Sequence, residues 1–170
     1  MKIHSSFVKA DYAFTLIELM VAVAIIALLT AIIMTNFSSS KARARDSQRI
    51  SDLAQIQLAL SLFYDRCNQF PTSITNPPTN DTATACPTGI TLGSYIGKIP
   101  IPPSGSATTY DYSINNTTPP PTDYVLHTTL ESPNPSATAN GLSSAPSYTV
   151  GTGVTISSCG TALDYCVGPK

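Results

Sequence analysis

The feature that most constrains this chain is the stretch AFTLIELMVAVAIIALLTAIIMTNF, residues 13–37. From Phe14 to Phe37 it holds one charged residue, Glu18, and neither proline nor glycine. About 20 apolar residues of helix cross roughly 30 Å of hydrocarbon, so the run reads as a membrane-spanning helix. A cleaved secretory signal accounts for it poorly, because such signals carry an apolar core of about 7–15 residues. Glu18 is the anomaly. An unpaired carboxylate at membrane depth costs several kcal/mol, so its position demands a partner.

The helical pattern continues past the apolar run. In SSSKARARDSQRISDLAQIQLALSLFYDRCNQFP, Ile50, Leu53, Ile56 or Gln57, Leu60, Phe63 and Cys67 recur at spacings of three and four, forming one apolar stripe. Gln48, Ser51, Asp52 and Gln55, with part of Asp65 and Arg66, fall on the opposite face. The spacing predicts one continuous helix over about residues 14–67, roughly 75–80 Å long. Pro71 ends it, with Asn68 as the capping residue. A helix of this length needs cover for its first half from outside its own domain.

The rest of the chain is poor in helix. It carries the 14 prolines, beyond residue 70, and long Ser, Thr and Asn-rich stretches. TSITNPPTNDTATACPTGITLGS reads as a surface loop and SYIGKIPIPPSGS as a short turn or helical piece. Alternation predicts strands at TTYDYSIN (Tyr110, Tyr112 and Ile114 on one face), TDYVLHTTL and SYTVGTGVTISS. ESPNPSATANGLSSAP, between the last two, reads as an exposed loop. The expected fold is α+β: a long N-terminal helix whose second half covers a small antiparallel sheet.

Cys67, Cys86, Cys159 and Cys166 all follow the apolar run. Four cysteines beyond a membrane segment point to two disulfides in an oxidising compartment, with three complete pairings open. Cys67–Cys86 and Cys159–Cys166 are favoured, since each closes a short loop where regular structure is weakest. Loop closure gives about 3 kcal/mol for each. No CxxC pair suggests zinc, and no cofactor is expected. His127 lies in a strand-like run without a partnered nucleophile, so it reads as structural. GTGVT lacks a phosphate loop's context and reads as a hairpin turn. Asp81, Asp111, Asp123, Glu131 and Asp164 are scattered and match no calcium loop. No enzyme is expected.

Net charge of −1 gives no electrostatic case for nucleic acid. Orientation is less simple. Lys2 and Lys9 precede the span, while Lys41, Arg43, Arg45 and Arg49 follow it. The positive-inside rule would place the second cluster in the cytoplasm, whereas the cysteines place it outside.

AFTLIELMVAVAIIALL resembles the class III signal of type IV pilins and of the pseudopilins of type II secretion. The likeness is closest over residues 10–40. It extends to about residue 75, where LFYDRCNQFPT is similar to the helix end of major pilins and the major pseudopilin. The resemblance implies a pilin fold with a leader at residues 1–13, a transmembrane and filament-core half-helix at 14–37, and a globular head at 38–170. It implies cleavage between Ala13 and Phe14 by a prepilin peptidase, N-methylation of Phe14, and an assembly role for Glu18. Pairing of the Glu18 carboxylate with the N-terminal ammonium of a neighbour, or of its own chain, would answer its desolvation cost. The basic leader then stays cytoplasmic and the head lies outside. Lys41 to Arg49 sit just beyond the membrane, with Asp46 and Asp52 as candidate partners. Three positions depart from the pattern. Ala13 replaces the usual glycine, and Ala27 and Thr35 stand where glycine and proline accompany local unwinding in assembled pilins.

The leading expectation is the major subunit of a type IV pilus. It would wait as a single-pass membrane protein and polymerise with copies of itself through ATP-driven assembly machinery. The surface filament would serve adhesion, twitching motility or DNA uptake. The alternatives are the major pseudopilin of a type II secretion system, and a minor pilin or tip adhesin. Major pseudopilins carry calcium in their C-terminal loops, but no ligand maps onto this chain.

Overall fold

The computed structural model describes residues 14–79, 81–83, 85–103, 109–115, 120–144, 146, 148, 156 and 159–169. Contacts divide the chain into two compact units, Met1–Ser38 and Ser39–Lys170.

Helix α1 spans Leu16–Cys67. Its start is a capping box: Thr15 Oγ1 accepts the Glu18 N–H (3.3 Å), and the Glu18 carboxylate accepts the Thr15 N–H (2.9 Å). Helical backbone runs unbroken through Ala27 and Thr35. Asn68 ends it in the left-handed region (φ 53°), with its N–H on Tyr64 O (2.7 Å). Asn tolerates that conformation better than most residues with a Cβ. The Phe70 N–H then turns to Pro121 O, drawing the exiting chain toward the sheet.

Three short strands form an antiparallel sheet in the order β1 (Asp111–Ile114), β2 (Tyr124–Thr129), β3 (Asp164–Val167). Tyr112 pairs with Leu126, and Leu126 with Val167. Side chains alternate across the sheet. Tyr112, Ile114, Tyr124, Leu126, Tyr165 and Val167 pack in one cluster with Leu53, Ile56, Leu60 and Phe63 of α1. Each such side chain contributes about 1.5–3 kcal/mol when fully buried. Val125 and Cys166 belong to a smaller cluster with Ile156, Cys159 and the partly buried Leu142 and Tyr148. Disulfides join Cys67 to Cys86 and Cys159 to Cys166, fixing the end of α1 to its following loop and β3 to the segment before it. Gly160 has φ 81°, and a Cβ there would collide with the Ser143 carbonyl. Glycine is therefore required at the entry to β3.

Several sequence expectations change. β3, DYCV, was not among the predicted strands; SYTVGTGVTISS, which was, lies mostly outside the described residues. Tyr110 precedes β1 and is buried. The 131–146 loop contains a short helix, α2 (Pro135–Thr138), capped by the Asn134 side chain with proline at its first turn. Asp52, expected on the open face of α1, is buried and accepts the Tyr110 hydroxyl (2.6 Å).

Candidate functional site

The site is the first half of α1. Between Phe14 and Ile33 every large apolar side chain is 52–87 % exposed. An 18-residue window, Leu16–Ile33, has a mean hydropathy of 2.8 and none of it is buried within the chain. So much apolar surface is unfavourable in water and needs lipid or other chains as cover. The polar groups within it are satisfied locally, as a membrane interior requires. The Thr30 hydroxyl donates to Ile26 O (2.6 Å).

Glu18 lies at the polar end of this surface. Its Oε2 accepts both the Thr15 N–H and the Thr15 hydroxyl (2.7 Å). The sequence pattern Thr-x-x-Glu at residues 15–18 is the local signal of this capping box. Cap donation occupies one carboxylate oxygen in these contacts, and the negative charge also complements the helix N-terminus. Phe14 is 87 % exposed just outside the first turn. Ala13 lies outside the described residues.

Of the basic cluster after the apolar run, Lys41 and Arg43 are exposed, whereas Arg45 and Arg49 are drawn into the head. Asp46 and Arg49 are buried and paired (2.7 Å). Asp46 also accepts the backbone N–H groups of Glu131 (2.8 Å) and Ser132 (2.9 Å). Arg49 reaches Glu131 (2.7 Å) and Pro103 O (2.9 Å), and Arg45 pairs with the same Glu131. Hydrogen bonds from Arg45 and then Arg49 hold the Glu131 carboxyl down at about 2. The network fastens two loops to α1. Asp46 was an expected partner for the basic residues; its burial and its bonds to a loop 85 residues away were not.

The scattered acids are likewise structural. Asp81 is buried and accepts the N–H (2.6 Å) and hydroxyl (2.8 Å) of Thr75. Asp123 accepts the Tyr124 N–H (2.8 Å) and the Tyr148 hydroxyl. Asp111 and Asp164, from the two outer strands, bracket His127 on the central one: Nδ1 is 2.9 Å from Asp111 and Nε2 3.2 Å from Asp164. Burial draws the His127 pKa down, but the hydrogen bonds to Asp111 and Asp164 outweigh it, and the net shift is upward. Among the described residues no three His, Cys, Asp or Glu side chains gather into a metal-binding group.

The first half of α1 is also where the chain meets known proteins. Residues 9–34 match the family model described as the prokaryotic N-terminal methylation motif. Type II secretion system core protein G of Aeromonas hydrophila is 29 % identical over 104 residues, covering 58 % of this chain and 71 % of the relative. The protein of the same name from Pectobacterium carotovorum subsp. carotovorum is 26 % identical over 106 residues, covering 61 % and 65 %. The chain thus spans just under two thirds of that second relative's length. The chain thus carries a prepilin-type N-terminal motif and is similar to the pseudopilins named core protein G. No solved structure matches it significantly. The matched motif lies on the stretch of α1 whose large apolar side chains are exposed on all sides.

Proposed function

We propose that this protein is a pseudopilin of the core protein G type, a filament-forming subunit of a type II secretion system. The supporting observation is the reach of the similarity. The methylation motif is common to pilins and pseudopilins, but alignment with the two core G proteins runs over 104 and 106 residues, far beyond residues 9–34. The surface-pilus reading loses its lead on that ground. In this reading a leader of residues 1–13 is removed between Ala13 and Phe14, and Phe14 is N-methylated. The 14–37 helix holds the subunit in the membrane and then enters the filament core, with the head of residues 38–170 outside. Copies of the chain are its main partners, together with the prepilin peptidase and an ATP-driven assembly machine.

Deleting the gene tests the choice. Export of the cell's type II substrates should fall to background while surface pili stay normal, and a plasmid copy should restore export. Intact-mass measurement of the restored protein should give a chain beginning at methylated Phe14. Normal export with loss of surface pili would overturn the pseudopilin reading in favour of the type IV pilus.

A further inference from the structure

The four cations that follow the apolar run fall into two pairs with different fates. Arg45 and Arg49 are held in the head by Glu131 and Asp46. Lys41 and Arg43 stay exposed. The carboxylates nearest to them along the chain, Asp46 and Asp52, are buried and bonded to groups of the head. Glu131 is engaged by both deeper arginines. Lys41 and Arg43 follow the exposed Phe37, where the apolar run ends, by four and six residues, within two turns of α1. Only the exposed Ser38, Ser39 and Ser40 stand between Phe37 and Lys41. Positions two apart on a helix differ by about 200° in direction, so the two cations leave α1 on nearly opposite sides.

We propose that Lys41 and Arg43 hold the phosphate groups of anionic phospholipid in the leaflet from which α1 emerges, one on each side of the helix, before assembly. The inference rests on the membrane-anchored reading above. The polar layer flanking a bilayer's hydrocarbon is about 5–8 Å thick on each side, and two helical turns advance about 11 Å. Side chains on a helix lean toward its N-terminus, which for this pair is back toward the lipid. Their apolar stems can lie along the end of the run while the charged heads stay at headgroup level. Charge complementarity selects the occupant, since phosphate is the dense anion of that layer. A cation at an anionic lipid surface strengthens binding about fivefold, and the pair about 25-fold. The arrangement also reconciles these residues with the cysteines: two cations are neutralised within the head and two by lipid phosphate, so none requires the cytoplasm.

Native mass spectrometry of the full chain in detergent micelles tests this, with dioleoylphosphatidylglycerol and dioleoylphosphatidylcholine added as competing probes. The wild type should retain the anionic lipid at least tenfold over the zwitterionic one. Lys41→Gln combined with Arg43→Gln should cut that preference at least tenfold while the head melts as in the wild type, both side chains being exposed. Lys98→Gln, which removes an exposed cation elsewhere on the head, should leave the preference unchanged. The proposal is overturned by equal retention of the two lipids, by a preference that survives in the double variant, or by an equal loss in Lys98→Gln. Full competition by free glycerol phosphate would also overturn it, marking a site for soluble anions instead. Micelles hold no secretion machinery, so the two readings fail separately. A lipid preference carried by Lys41 and Arg43, in a protein whose deletion spares export, would sink the pseudopilin reading and leave the lipid site standing. No preference, in a protein whose deletion abolishes export, would sink the lipid site alone.

Discussion

The two halves of α1 solve opposite problems with the same secondary structure. Residues 14–33 expose their apolar side chains and carry one carboxylate, which caps the first turn. Residues 45–67 bury an apolar stripe and, beside it, three charged groups paired by loops from far along the chain. A charge is costly wherever water is absent, so in both halves each charge marks a commitment. In the first half the commitment is to the helix terminus and, by inference, to other copies; in the second it is to the fold of the head. The lesson is that residue type alone does not tell a structural charge from an assembly charge. What its oxygens and nitrogens already touch does.

The largest effect expected from breaking this contrast is on assembly. Glu18→Gln should keep the cap, because Gln serves at the third helical position of a capping box as Glu does, while removing the charge. Mature subunit should accumulate in the membrane at normal levels and filaments should nearly vanish, with the melting of the head unchanged. Electron microscopy alongside quantitative blotting of membranes reads both parts. Glu18→Ala, which also loses the cap, should additionally fray the first turn. Normal filament numbers in Glu18→Gln would show that the cap is the whole role of this residue. A shifted head transition would break the proposed separation of the two halves.

The converse substitution lies in the second half. Asp46→Ala removes the acceptor of two backbone N–H groups and takes from the buried Arg49 its carboxylate on α1, while the bonds to Glu131 and Pro103 O stay. Breaking a buried pair from one side costs about 3–5 kcal/mol, a large share of a typical domain's stability. Urea denaturation of the full chain in detergent should show that loss. Arg45→Ala, at the more exposed end of the same network, should cost far less, because solvent screens that pair. Equal effects from the two would mean that the buried pair has no special weight.

How much of this was readable in the sequence follows from the range of the interactions. The stripe from Ile50 to Phe63, the stop at Asn68 and Pro71, and the strands holding Tyr112 and Tyr124 rest on local periodicity and turn chemistry, and all were legible. β3 was not, because four residues containing Asp and Cys are too short to show alternation. Asp46 and Asp52 were legible as candidate partners of the basic cluster, but the burial of Asp46, Arg49 and Asp52 was not, because Glu131, Pro103 and Tyr110, which bond them, are 54 to 85 residues away. Nothing in a local window announces such pairing. The Thr15–Glu18 cap is different: its signal, Thr-x-x-Glu, is local.

The smallest expected effect extends the contrast to the sheet. His127 can donate to both flanking carboxylates only when protonated, since a neutral imidazole carries one N–H. The two carboxylates raise its folded pKa above the ordinary value of about 6.5, against the pull of burial. For a raised pKa the sign is fixed. The extra stability is fully present below pH about 6.5 and is lost as pH rises through the higher folded value. The head should therefore melt at progressively lower temperature through that window. His127→Gln should flatten this part of the profile, and Asp111→Asn or Asp164→Asn should each remove part of it. Subtracting the variant's curve from the wild type's cancels the contribution of His4, the other histidine. A loss of order 1 kcal/mol is expected for a partly exposed pair. Filament yield across the same pH range should not follow the melting curve, because the clamp joins three strands of one head. Identical pH profiles for wild type and His127→Gln would show that the bracketed imidazole holds nothing together. A filament yield that tracks its titration would show instead that the head's charges also govern assembly.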